Sequence, residues 1–106
     1  MAGAHLAFGT DWPRLPLEPL AGLRAALQRP DLHAPEQLTL KSAINAWTSG
    51  AAWASFDEHR KGTLKADMLA DLVILSSDIF AGSANLASAE VAITIFDGKI
   101  VYRRPS

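Results

Sequence analysis

A single aspartate stands where an apolar segment of the sequence gives way to a loop. Residues 4–9 (AHLAFG) are short and apolar, and Asp11 follows them directly before Trp12 and Pro13. An aspartate in this context can be a turn residue whose side chain bonds nearby backbone N–H groups. It can also be a carboxylate delivered at the C-terminal end of a strand, where α/β barrels hold their catalytic residues. On the local pattern alone, the turn residue is the favoured interpretation.

The other residue types with catalytic chemistry are scattered. Histidines occur only at positions 5, 33 and 59, and no two are spaced as a local metal-binding pair. A hydrolytic zinc site needs about three protein ligands and one open position, so His5, His33 and His59 are expected to be surface or hydrogen-bonded residues. The chain contains no Gly-x-Ser-x-Gly elbow and no phosphate-binding loop. The three tryptophans are expected in the core, as large apolar residues usually are: Trp12, Trp47 and Trp53.

Composition narrows the class of protein. The chain has 106 residues, enough for one domain, and a net charge of −1 with no basic block, so we expect no nucleic-acid partner. It has no cysteine, which excludes disulfides and thiolate metal sites. No apolar run approaches the roughly 20 residues that span a bilayer, and no signal segment is evident. We therefore expect a cytoplasmic protein without a membrane partner.

The first half of the chain has helical periodicity after the initial apolar run. Pro19 suits the first turn of a helix, Thr39 can cap the next one through its hydroxyl, and Ser49 and Gly50 should interrupt the helical pattern. Gly62 is a plausible stop after a charged run. The pattern predicts a strand at residues 4–9 and helices at about 19–29, 39–48 and 51–57.

The second half is rich in β-prone residues. Residues 72–75 (LVIL) form a short β-prone run, and a loop is expected around Gly82. Two further β-prone runs, 90–96 and 99–103, flank the dipeptide Asp97-Gly98. This dipeptide favours a type I′ turn, because both of its residues tolerate positive φ. We predict a tight hairpin over residues 90–103 within a small β unit, residues 63–106, that follows residues 1–62.

Four collinear segments cover almost the whole chain: FGTDWP at 8–13 with PLEPLAGLRAAL at 16–27, LTLKSAINAWTSGAAWASF at 38–56, KGTLKADMLADLVIL at 61–75, and ITIFDGKIVY at 93–102. Together they resemble one family, the amidohydrolases, which are metal-dependent hydrolases of C–N bonds. The nearest subgroup includes N-substituted formamide deformylases and exoenzyme-regulatory homologues.

The resemblance implies a fold and one site residue. The fold would be α/β, a C-terminal fragment of a (β/α)₈ barrel (its last strand plus helices) followed by part of a small β-sandwich. In such enzymes the aspartate that ends the eighth barrel strand contacts the metal and shuttles the proton of the attacking water, and Asp11 occupies that position. Zinc or another divalent metal would be the cofactor of the full-length family.

One local departure from the family lies at residues 66–67, near the start of the predicted β unit. Where the family usually has a Pro-Gly turn, this chain has Ala66-Asp67, so Asp67 is expected to adopt a strained backbone. Asp71 resembles a structural position of the family, and we expect no catalytic role for it.

The length is the larger departure. A full barrel takes about 250 residues, and the family's metal-binding histidines and carboxylated lysine precede the matching region. Asp11 would then be the only metal ligand in this chain, which is expected to bind no cofactor and to be inactive alone. Its activity would need a second polypeptide with the N-terminal half. The alternative is a free-standing, self-associating binding or structural module without catalysis, which predicts a homo-oligomer.

Overall fold

The helices come first along the chain and the sheet second. The computed structural model describes residues 3–11, 13–14, 18–28 and 38–105. Its elements are α1 (Pro19–Leu27), α2 (Leu40–Trp47), α3 (Ser49–Ala54), β1 (Leu72–Leu75), α4 (Ser83–Ser88), β2 (Val91–Phe96) and β3 (Lys99–Arg103). No helix in these ranges is long and apolar enough to cross a membrane.

Residues 4–9, predicted to be a strand, form neither helix nor strand. A strand needs a neighbour that bonds its backbone along a ladder, and in the described part of the chain the sheet consists of β1, β2 and β3 only. The segment instead lies against α2, where the Phe8 N–H donates to the Ala46 carbonyl at 3.0 Å. The apolar pattern also predicted burial, which is wrong for the described structure: Phe8 is partly buried and the other residues of the segment are exposed.

Helix α1 begins at Pro19, as the sequence predicts, and its described part ends at Leu27 with Gln28 as the C-cap. Leu23 is buried on its inner face. The helix lies close to α2 at Gly22, because a Cβ at this position would come within 2.5 Å of the Trp47 ring. Gly22 therefore permits the approach of the two helices.

Helix α2 has the predicted cap. The Thr39 hydroxyl accepts from the Ser42 N–H at 3.1 Å, which satisfies one of the free donors of the first turn. Its inner face carries Ala43, which is fully buried, with Ile44 and Trp47 partly buried against the same cluster.

The break between α2 and α3 lies one residue earlier than predicted. Thr48 leaves the helical conformation, whereas Ser49 and Gly50 both lie inside α3. Gly50 is needed for packing, since a Cβ there would collide with the Leu6 carbonyl oxygen. A glycine that permits a close contact looks the same in sequence as one that ends a helix.

Helix α3 ends at Ala54, earlier than the predicted residue 57. Phe56 has a φ of +62°, and the N–H of Asp57 donates to the Ala52 carbonyl at 2.9 Å. The N–H of Phe56 donates to the Trp53 carbonyl at 3.0 Å. These two bonds form a Schellman closure, in which the left-handed position normally belongs to glycine. Sequence reasoning missed this end because the residue that provides it is aromatic.

The β-sheet has the order β1-β2-β3 and is antiparallel throughout. The predicted hairpin over residues 90–103 is confirmed: β2 and β3 are joined by Asp97 at φ +50° and Gly98 at φ +76°. Two consecutive positive φ values characterise the predicted type I′ turn. Asp71 supports this turn, because its Oδ1 accepts from the Asp97 N–H at 2.8 Å, a contact that suits the structural position it was expected to hold.

Helix α4 was not predicted, because the sequence around Gly82 indicated a loop. Its six residues include two serines and an asparagine, which are weak helix formers. Tertiary contacts stabilise it: Leu86 packs against the core, and the Arg24 side chain bonds the carbonyls of Leu86 and Ala89 at the helix's C-terminal end.

One small apolar cluster joins the helices to the sheet. Its buried residues are Leu23, Ala43, Ile79 and Ala89. The partly buried residues around them are Leu20, Leu27, Leu40, Ile44, Trp47, Leu75 and Leu86. Among the described residues no large side chain is fully buried. The predicted division at residues 62 and 63 stays a prediction.

Candidate functional site

Asp11 lies at a turn in the chain. Its φ is +57°, in the left-handed region, and its carbonyl accepts from the Arg14 N–H at 2.9 Å. The residue is exposed, and its carboxylate makes no hydrogen bond or ion pair among the described residues. Non-glycine residues with positive φ are uncommon, although aspartate tolerates this region better than most. Asp11 thus lies exposed, with a left-handed backbone conformation, at the end of the apolar segment.

The segment before Asp11 is fixed on one side by helices α2 and α3. The Phe8 ring lies edge-on to Trp47 with centroids 6.2 Å apart, in addition to the backbone bond to Ala46. Further back, the His5 ring stacks on Trp53 at 4.1 Å with an interplanar angle of 18°. These contacts position the segment and therefore the start of the turn that carries Asp11.

The exposure of the histidines and tryptophans can be compared with the sequence predictions. His5 and His59 are exposed, as expected, and His59 lies 3.8 Å from the Glu58 carboxylate. Trp47 packs against the core, whereas Trp53, expected to be buried, is 46% exposed. It is exposed because its ring covers His5 rather than the core.

Two other predicted positions, His33 and Trp12, lie outside the described residues. Within the part of the chain that the structure describes, no three His, Cys, Asp or Glu side chains come together as a metal site. One carboxylate is not enough for zinc, which takes about three protein ligands in hydrolytic sites. The described residues by themselves therefore do not fit a resident metal ion.

Two open clefts flank the junction between helices and sheet. The first, of about 700 Å³, lies between α2, α3 and the start of β1, and Asn45, Lys61 and Asp71 are among its polar residues. The second, of about 850 Å³, lies between α1 and the sheet, with Arg24 and Glu90 on its walls. Asp11 lines neither cleft. The clefts and the predicted site residue are thus separate features of the chain.

Arg24 is the structurally important polar residue that sequence reasoning missed. Its Nε donates to the Leu86 carbonyl at 3.0 Å and its Nη2 to the Ala89 carbonyl at 2.6 Å. These bonds connect positions more than 60 residues apart in the chain. The only signal in the sequence was a basic residue in the last turn of an amphipathic helix, which is usually solvated.

Comparison with known proteins places nearly the whole chain within one set of relatives. The sequence profile of the amidohydrolase family matches residues 1–102. The chain is 32% identical over 111 aligned positions to a putative amidohydrolase, YtcJ, of Bacillus subtilis, covering 96% of this chain and 21% of that protein. It is 38% identical over 105 positions to the protein LONG AFTER FAR-RED 3 of Arabidopsis thaliana, covering 93% of this chain and 18% of that one.

A solved structure shows the same arrangement. The crystal structure of an amidohydrolase from Thermotoga maritima MSB8 superposes with a TM-score of 0.72 and 26% sequence identity. The match covers 96% of this chain and 24% of that one. The chain therefore spans between about a sixth and a quarter of the length of the proteins it matches.

Proposed function

Because the chain belongs to the amidohydrolase family, we propose that it forms the C-terminal part of a hydrolase that cleaves C–N bonds of non-peptide amides. The observation that carries this proposal is the match of nearly all of the chain, in sequence and in fold, to a minor part of longer amidohydrolases. Residues 1–62 would then be the end of a (β/α)₈ barrel, and residues 63–106 would be part of a small β-sandwich.

This architecture explains two features of the described residues. Residues 4–9 are apolar yet without a strand partner, as expected of a barrel strand whose neighbours belong to other polypeptide. One face of the sheet has exposed apolar side chains, including Ile74 of β1 and Ile100 of β3, as expected of one layer of a sandwich.

Asp11 is the residue that we assign to the chemistry. In amide hydrolysis a carboxylate can accept the proton of the attacking water and return it to the leaving nitrogen. A bound divalent metal, when present, lowers the pKa of water and polarises the scissile carbonyl. Asp11 supports the assignment by its exposure and by its left-handed backbone, since strained conformations cluster at functional sites.

The described residues supply this carboxylate without the other metal ligands. We therefore propose that the 106 residues alone bind no catalytic metal and are inactive, and that the remaining ligands come from polypeptide outside them.

The experiment is to purify the chain with added zinc, measure its metal content, and assay the hydrolysis of a panel of N-substituted amides and formamides. We expect neither retained zinc nor turnover. Stoichiometric zinc with turnover that Asp11→Asn abolishes would overturn the inactivity while supporting the role of Asp11. Turnover that Asp11→Asn leaves unchanged would contradict the role of Asp11.

A second candidate function, self-association as a binding or structural module, is favoured by the exposed surface. Among the described residues, the large apolar side chains of Phe56, Leu64 and Phe80 are 91%, 75% and 66% exposed. Exposed apolar surface of this kind can form contacts between copies of a chain. Light scattering over a range of concentrations tests this candidate, for which we expect a homo-oligomer. A monomer at high concentration would contradict it.

A further inference from the structure

The dipeptide Asp97-Gly98, at the turn between β2 and β3, has a chemical reactivity of its own. Asp97 is the only aspartate or asparagine of the sequence that is followed by glycine. Glycine has no Cβ, so its backbone nitrogen can reach the side-chain carbonyl carbon of a preceding aspartate with little steric hindrance. Attack by that nitrogen closes a five-membered succinimide ring. The chain therefore contains one dipeptide whose sequence favours this cyclisation.

The reaction needs no reactant from outside the chain except water. The Gly98 nitrogen forms a bond to Cγ of Asp97 in its carboxylic acid form, the Cγ–OH bond breaks, and the hydroxyl leaves as water with the proton of the nitrogen. Water then reopens the ring at one of its two carbonyls. Opening at the backbone carbonyl leaves the main chain running through Cβ and Cγ, which is isoaspartate, whereas opening at Cγ restores aspartate. The elemental composition of the chain is unchanged in either case.

Both N–H groups of the turn are bonded to the segment just before β1. The Asp97 N–H donates to Oδ1 of Asp71 at 2.8 Å. The Gly98 N–H donates to the Ala70 carbonyl at 3.0 Å. The Gly98 nitrogen must lose its proton when it attacks Cγ, so its bond to Ala70 has to break. The contacts that fix the turn therefore oppose the reaction.

Isoaspartate does not fit a turn of this kind. It adds one carbon atom to the main chain of a two-residue loop, and the length of a hairpin loop determines its turn type and the register of its strands. In the structure Phe96 pairs with Lys99 directly across the turn. A longer main chain displaces this pair, so conversion of Asp97 should weaken the pairing of β2 with β3.

We propose that Asp97 is a site of isoaspartate formation, which the hydrogen bonds from residues 70 and 71 keep unreactive while the turn is closed and which reacts when the turn opens. Folded proteins open locally, at a free-energy cost that depends on the contacts that are lost. The proposal concerns the chemistry of the hairpin only, and it holds whether or not Asp11 acts in hydrolysis.

The test incubates the 106-residue chain in mildly acidic buffer with and without concentrated urea, beside the peptide IFDGKI (residues 95–100) as an unstructured reference. Isoaspartate at position 97 is measured by peptide mapping and by an isoaspartate-specific methyltransferase. We expect the folded chain to react at least about tenfold more slowly than the unfolded chain and the peptide, the factor that two ordinary hydrogen bonds provide. Equal rates with and without urea, while circular dichroism shows a folded chain in buffer, would overturn the proposal.

Substitution of Asp71 loosens the turn. Asp71→Ala removes the acceptor of the Asp97 N–H and should speed isoaspartate formation about tenfold, whereas Asp71→Asn keeps an acceptor oxygen and should stay closer to the native rate. Asp78→Ala is the matched control, because Oδ1 of Asp78 accepts from the Phe80 N–H at 2.9 Å outside the hairpin. It should leave the rate at Asp97 unchanged. An equal increase in the two alanine variants would contradict the protection by Asp71.

Hydrogen exchange of the Gly98 amide measures the opening of the turn in the same samples. Because attack requires the bond to Ala70 to break, exchange and isoaspartate formation should rise by the same factor from the native chain to Asp71→Ala. This expectation holds even if the variant is partly unfolded, since both reactions then depend on the same open fraction. Faster exchange without faster isoaspartate formation would show that the bond to Ala70 does not control the reaction, and it would overturn the proposal.

Discussion

The left-handed backbone at Asp11 allows a prediction about its side chain. Because the carboxylate is exposed and unpaired among the described residues, Asp11→Asn should change the free energy of unfolding by less than about 0.5 kcal/mol. Asparagine tolerates positive φ as aspartate does. Asp11→Val is the comparison variant, and its β-branched side chain at φ +57° should cost about 1–2 kcal/mol. Urea unfolding followed by circular dichroism measures both, and a large loss in Asp11→Asn would reveal a structural contact of the carboxylate.

Asp67 offers a gain in stability. The sequence placed it where related proteins have a glycine and predicted a strained backbone, and its φ of +71° confirms this. Asp67→Gly should therefore raise the free energy of unfolding by several tenths to about 1 kcal/mol, since glycine relieves the steric cost but loses more entropy on folding. Asp67→Ala, which keeps the Cβ, should give no such gain. If both variants are equally stable, the backbone at this position carries no strain.

Arg24 connects two elements that are distant in sequence, and its loss should be costly. It provides two charged hydrogen bonds to carbonyls at the end of α4, so Arg24→Met should destabilise the chain by about 2–4 kcal/mol. The stability of Arg24→Lys should lie between that of the native chain and that of Arg24→Met, because a lysine ammonium cannot reproduce the fixed donor geometry of the guanidinium. Lys41→Met removes an exposed cation from α2 and should change little. Thermal unfolding of the three variants tests the order, and a lysine variant as stable as the native chain would show that charge alone suffices.

The elements differ in how far the sequence determines them. The β2–β3 hairpin was predictable because its turn chemistry is local: Asp97 and Gly98 both tolerate the positive φ that the turn requires. The end of α3 was not, because an aromatic, Phe56, occupies the left-handed position. Helix α4 was missed because distant contacts with Arg24 stabilise it rather than the propensities of its own residues.

At the candidate site, too, local sequence patterns were informative, whereas contacts between residues far apart in sequence could not be predicted. The local pattern around Asp11 favoured a turn residue, and only the collinear resemblance to amidohydrolases favoured a catalytic one. The packing that fixes the preceding segment, including the stack of His5 on Trp53, joins residues too far apart in sequence for local patterns to indicate. The sequence thus identifies Asp11 as a candidate carboxylate, but it does not predict the contacts that position the segment before it.

The exposed surface of the molecule as a whole leads to the last prediction. Several large apolar side chains of the described residues are more than half exposed, among them Phe56, Leu64 and Phe80. If folded chains associate to cover such side chains, mass action makes the midpoint of thermal unfolding rise with protein concentration. A hundredfold increase corresponds to about 2.7 kcal/mol for a dimer that unfolds to monomers, and the midpoint should rise by about six degrees, since both chains contribute to the unfolding entropy. Calorimetry at several protein concentrations measures the shift of the midpoint. Leu64→Ser and Phe80→Ser replace two exposed apolar side chains. Each variant should reduce the shift if the replaced side chain lies in the contact between chains. A midpoint independent of concentration would show that the chain folds with its apolar surface uncovered.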